Sequence, residues 1–137
     1  MGLEVPAEGA SMEVIIVDRP DGAVVVSLHG QLDLDTASQL HDVLASLLLQ
    51  PSPRIVVDLA ALTFCDSIGL SALAFAHRRC VEAGGYLRLC SPRPFLRRVL
   101  TVVGLSPRLP AYWTVQAACA GDPAGLIAPL PPSPARP

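Results

Sequence analysis

Apolar and polar residues change period several times along the chain, and each change marks an element. In "MEVIIVDRPDGAVVVSLHG" two β-branched runs flank Arg19-Pro20-Asp21-Gly22. Proline presets a turn dihedral, aspartate bonds its own backbone and glycine accepts positive φ, so the stretch predicts a hairpin. From Thr36 the period lengthens: Leu40, Val43, Leu44, Leu47 and Leu48 fall on one helical stripe, with Asp35 expected as N-cap and "PSP" at 51–53 as the stop. "RIVVDL" at 54–59 is apolar on both faces, the pattern of a central parallel strand covered by helices. A second helix is expected from near Ser67, with Leu70, Leu73, Ala74, His77 and Val81 inward and Gly84-Gly85 closing it. "YLRLC" at 86–90 reads as a short strand. Ser91-Pro92 then predicts a third helix, a cap and first-turn proline, with Leu96, Val99, Leu100 and Val103 as its stripe and Gly104 as its end. "LPAYWTV" predicts a last strand, which Pro110 places at an edge, and "QAACA" one more helical turn.

A hairpin followed by alternating helices and strands predicts one compact α/β domain, a mixed sheet with at least one helical layer. The 137 residues fit a single domain over 13–120, preceded by a loose arm at 1–12. The span 121–137 carries five prolines from Pro129 onward and is expected to be a Pro-rich disordered tail.

Composition narrows the function classes. Hydrophobic residues make up 51% of the chain and charged residues 16%, so a large core leaves some apolar surface that suits a partner. A net charge of -2 argues against direct nucleic-acid binding, and the arginines at 78–79 and 93–98 are read as solvated helix faces. No apolar run has the length of a membrane span, and the first dozen residues, with two acids and no Lys or Arg, do not read as a signal peptide. A cytoplasmic location is therefore expected. Cys65, Cys80, Cys90 and Cys119 form no paired motif and are expected to be reduced packing residues, with no metal site.

The chemistry concentrates at one junction, "TFCDSIGL" at 63–70, where an apolar strand gives way to a helix. Ser67 there is a natural N-cap, and Asp66 suits the helix dipole. A nucleophile elbow G-x-S-x-G fits poorly: Gly69 matches its last position, but Cys65 occupies the first. His29 and His41 precede the serine and His77 lies in the same helix, leaving no downstream base. A receiver-like phosphoaspartate at Asp58, with Asp33 and Asp35 holding a metal, lacks the lysine such sites use, since the chain has none. Ser67 as a phosphoryl acceptor remains. A phosphate adds about -1.5 to -2 charges, which a helix N-terminus tolerates and a docked apolar or acidic partner does not.

"LHGQLDLDTASQLHDVL", "RIVVDLAALTFCDSIGLSALAFAHRR" and "GGYLRLCSPRPFLRRVLTVVGL", in that order, resemble the STAS domain, and within it the bacterial anti-sigma factor antagonists. The resemblance covers about residues 13–115; Asp-Ser-x-Gly-Leu after an apolar strand is its most specific part. It implies a mixed sheet of four to five strands with helices packed mainly on one side. Ser67 matches the serine phosphorylated by a partner anti-sigma factor kinase, Asp33 an acid that helps bind that kinase, and Asp66 and Gly69 complete the motif. The resemblance further implies a non-enzymatic switch without cofactors: the unphosphorylated domain binds the kinase and frees a sigma factor, phosphorylation ends the complex, and a phosphatase resets it. Gln31 stands where many members carry Glu, and Ile68 occupies the variable position. The broader family also includes structural subunits of stress-signalling scaffolds and lipid-transport complexes, in which Ser67 would not be modified.

Overall fold

The computed structural model describes residues 11–102 and 109–127. Its first two strands, β1 (Met12–Asp18) and β2 (Val24–Leu32), form the expected hairpin. The turn is built as its residues dictate: Gly22 has φ 92°, its N–H donates to the Arg19 carbonyl at 3.0 Å, and an Asp21 carboxylate oxygen accepts from Ala23 N at 3.0 Å.

The chain continues as α1 (Ala37–Leu47), β3 (Arg54–Asp58), β4 (Leu62–Cys65), α2 (Ser67–Glu82), β5 (Tyr86–Cys90), α3 (Pro94–Val102), β6 (Ala111–Tyr112) and α4 (Val115–Ala120). A 3-10 turn follows at Pro123–Gly125. The sheet order is β1-β2-β3-β5-β6, antiparallel only between β1 and β2.

The sheet has six strands rather than the four to five expected, because β3 and β4 share one edge of β2. β3 pairs with Val24–Ser27 and β4 with Gly30–Leu32. Between them the chain steps aside: Asp58 accepts from Ala60 N at 3.0 Å, and Leu62 N donates to the Leu59 carbonyl at 3.1 Å. This jog carries the chain past the end of the central strand and delivers Asp66 beside Leu32, whose carbonyl accepts from Asp66 N at 3.2 Å.

Strand alternation sorts the two faces. Val26, Leu28, Ile55, Val57, Leu87 and Leu89 point to the side that α1, α2 and α3 cover, forming the main core. The opposite side holds a smaller cluster of Val25, Val56, Cys90 and Tyr112 against Ala118 of α4. Arg88 fastens α4 there, stacking 3.6 Å from the Tyr86 ring centre and donating to the Ala118 carbonyl at 2.8 Å. Helices therefore lie mainly on one side, as the resemblance implied.

Several local expectations are corrected. Asp35 does not cap α1: the cap position is Thr36, whose N–H bonds back to Asp33. α2 turns Ala76 and Cys80 inward, whereas Val81 is 55% exposed. Ser91 does not open α3. It has φ 56° and donates its hydroxyl to the Trp113 carbonyl at 3.2 Å, while the Arg93 carbonyl accepts the first helical bonds. The start of the span expected as a tail is held in place: Leu126 bridges Tyr112, and Ile127 N donates to the Ala111 carbonyl at 2.8 Å. Residues 1–10, Val103 with Gly104, and 128–137 lie outside the described residues.

Candidate functional site

The C-terminal end of β2 and the N-terminus of α2 meet at the junction that the sequence singled out. Asp66, not Ser67, is the N-cap of α2. Its backbone is extended, and one carboxylate oxygen accepts from Gly69 N at 2.9 Å. The other accepts from Leu34 N at 3.2 Å, across 32 residues of sequence. One acid thus closes the first turn of α2 and ties it to the loop after β2. Two adjacent residues that are both good caps cannot be ranked from type alone. The second bond, to Leu34, favours Asp66.

Asp33 organises that loop from within. Its carboxylate accepts from Asp35 N at 3.0 Å and Thr36 N at 3.2 Å, and its own N–H donates to the Thr36 hydroxyl oxygen at 2.9 Å. The Thr36 hydroxyl donates to the Gln31 carbonyl at 2.8 Å. Thr36 is the sole buried polar residue of the described chain, 4% exposed, and every polar atom of its side chain is used. Its role was missed in the sequence, although Asp33-x-x-Thr36 has the spacing of a reciprocal capping pair.

Gly69 is required by close approach. A Cβ there would stand 2.7 Å from Leu32 Cγ and 2.8 Å from the Leu32 carbonyl oxygen, so only glycine lets α2 lie this near β2. The thiol of Cys65, packed beneath the same turn, is pushed up to about 12 by burial and by the Asp66 carboxylate. It is held as a neutral packing group.

With its neighbours occupied, Ser67 is left outward. It is the first residue of α2, exposed, and its hydroxyl has no partner among the described residues. Gly69 N is taken by the Asp66 side chain and Leu70 N by the Asp66 carbonyl, so the Ser67 and Ile68 N–H groups remain open. Exposed apolar residues lie nearby in the chain: Ile68 is 45% exposed and Phe64 46%, and Leu34, tied to Asp66 through its N–H, is 70% exposed. The structure therefore brings Asp33, Asp66, Ser67 and Gly69 to one corner. Leu34 and Ile68 adjoin it in the chain, and their exposure could not be read from hydrophobicity.

Other candidates do not assemble there. Asp58 spends its carboxylate on Ala60 N in the jog, and among the described residues no group of His, Cys, Asp and Glu gathers as a metal site. His77 lies against the sheet with Nδ1 3.2 Å from the Leu87 carbonyl.

A small mixed α/β domain with an open hydroxyl at the strand–α2 corner defines the class. A family model described as Mlab, STAS domain matches residues 15–110, and the chain belongs to the STAS domain family. It is similar to the anti-sigma-F factor antagonist RsfB of Mycobacterium tuberculosis, 26% identical over 117 residues, covering 85% of this chain and 94% of that one. Among solved structures, an anti-sigma factor antagonist from Mycobacterium paratuberculosis superimposes with a TM-score of 0.73 at 30% identity, over 81% of this chain and 93% of the other. The Bacillus cell fate determinant SpoIIAA in its phosphorylated form does so with a TM-score of 0.60 at 25% identity, over 81% and 98%. No helix among the described residues is long and apolar enough to cross a membrane.

Proposed function

We propose that this chain is an anti-sigma factor antagonist whose Ser67 is a phosphorylation switch, read by an anti-sigma factor that is itself a serine kinase. The single observation that carries the proposal is the state of Ser67: exposed and without a partner, beside a neighbouring acid fully engaged in holding the corner together. The names of the relatives support the same assignment. The phosphorylated form of SpoIIAA supports a phosphoryl group on a domain of this shape.

In this reading the kinase docks over Leu34, Ile68 and the Asp33 loop, bringing its bound ATP to Ser67. The Ser67 oxygen attacks the γ-phosphorus, its proton passes to a base of the kinase, and ADP leaves. The new dianion sits at the first turn of α2, where the open Ser67 and Ile68 N–H groups and the helix dipole tolerate it. The fold survives. The docking face, apolar and already bearing Asp33 and Asp66, gains a charge that repels the nucleotide-loaded kinase, and the complex ends. A phosphatase removing the group restores binding. The chain supplies no catalytic residue and holds no cofactor in this scheme.

The test is a binding titration of Ser67→Ala and Ser67→Glu against the anti-sigma kinase of the source organism, with ADP present. Ser67→Ala is expected to bind like the unmodified protein and resist phosphorylation, while Ser67→Glu loses affinity and keeps its fold. Equal affinity of the two variants would contradict the switch.

A further inference from the structure

The free edge of the sheet is built differently at its two ends. At one end β6 has only two residues, and Leu126 and Ile127 lie along its outer side. At the other, β1 pairs with β2 in unbroken register from Met12 to Asp18, and Arg19 N extends the ladder to the Ala23 carbonyl. Edge strands are commonly blunted by lysine, proline or a bulge. β1 has none of these, and Ile15, Ile16 and Val17 stand 41%, 47% and 51% exposed in succession.

The ladder fixes which backbone groups are open. Arg19 N bonds to Ala23, and the Ser11 carbonyl accepts from Gln31 N, so the odd-numbered residues turn their N–H and C=O toward β2. Val14, Ile16 and Asp18 therefore turn theirs outward. Met12 would as well, and its carbonyl is already covered by the Gln39 side chain at 2.9 Å. The open stretch runs from Val14 to Asp18.

We infer that this edge pairs antiparallel with β1 of a second copy, about a two-fold axis at Ile16. Centred there, Ile16 exchanges both hydrogen bonds with Ile16 of the second copy, and Val14 exchanges them with Asp18 of the second copy. The residues between are non-hydrogen-bonded pairs, whose side chains approach most closely. On the sheet face away from α1 these are Ile15 opposite Val17 and Glu13 opposite Arg19, each occurring twice by symmetry. Apolar meets apolar, and each acid meets a base. Moving the axis to Ile15 or Val17 sets Glu13 against Val17 or Asp21, and Arg19 against Ser11 or Ile15. Charge complementarity thus selects both the occupant and its register. The present partner of Arg19, Asp21 at 3.3 Å, is an exposed neighbour in the turn and competes weakly. Ile16 pairs with Val26, four residues before Gly30, so the two-fold leaves the Ser67 corner of each copy open.

Sedimentation equilibrium of the full chain at low salt tests this. A concentration-dependent mass rising to two chains is expected. Arg19→Glu, which sets two acids together twice, should weaken association about tenfold, and Glu13→Arg with Arg19→Glu should restore it. Ile16→Lys, at an exposed edge position, should give a monomer with an unchanged circular dichroism spectrum. A chain that stays monomeric at all concentrations overturns the inference. So does a dimer indifferent to the charge swap and to Ile16→Lys.

Discussion

Asp66 accepts from Leu34 N at 3.2 Å with the carboxylate oxygen that is not capping α2. The helix that presents Ser67 and the loop that presents Asp33 are thereby tied together. Removing the acid should cost both bonds. Asp66→Ala is expected to destabilise the domain by about 1–3 kcal/mol, from a lost cap and an unmet loop amide. Asp66→Asn, which still offers one carbonyl oxygen, should cost less. Urea midpoints of the two variants and the parent measure this, and variant midpoints equal to the parent's would mean that the acid holds nothing.

Thr36 is the second fastening. Thr36→Val keeps the shape but strands Asp33 N and the Gln31 carbonyl, so a loss of about 1–3 kcal/mol is expected. Amide exchange should also accelerate locally, at Asp33 to Asp35, before the core opens. Hydrogen exchange followed by mass spectrometry resolves the segment.

Gly69→Ala tests the spacing between α2 and β2. A Cβ 2.8 Å from a backbone carbonyl oxygen cannot be accommodated by a rotamer change, so the first turn of α2 must shift. We expect about 1–3 kcal/mol of destabilisation and slower phosphorylation of Ser67 than in wild type. A variant as stable as the parent would show that the helix has room to move.

The cysteines set an alkaline limit. Burial pushes the thiols of Cys65 and Cys90 up to about 12 and that of Cys80 to about 11, from 9.0. The folded state therefore prefers the neutral thiol, and this contribution is complete below pH 9.0. It is lost as pH rises through the folded values, because the unfolded chain releases these protons first. Tyr86, also raised by burial, acts in the same sense, and the chain has no lysine to blur the window. Urea midpoints should fall between about pH 9 and 11, and Cys65→Ser should flatten the slope. At pH 8 a thiol reagent should label the half-buried Cys119 ahead of the other three.

Much of this architecture was legible where a single period ran long enough. The β1–β2 hairpin, the stripe of α1 and the doubly buried β3 all follow from residue spacing. β4 was not legible, since Leu62–Cys65 follows Asp58 with neither glycine nor proline to mark the jog. The inward face of α2 was misjudged at Val81 because small residues, Ala76 and Cys80, fill the close contact with the sheet. At the site, the residue types at 66, 67 and 69 announced a junction. The division of labour between Asp66 and Ser67 depends on Leu34, a residue 32 positions away, and only the fold reveals it.

The most direct test is the intact mass of the protein purified from its own host, before and after phosphatase treatment, beside a Ser67→Ala control. The expected result is a single phosphoryl adduct that phosphatase removes and the variant lacks. An unmodified mass under growth and stress conditions alike would contradict the switch, and would leave Ser67 as the bare first residue of a helix in a structural subunit.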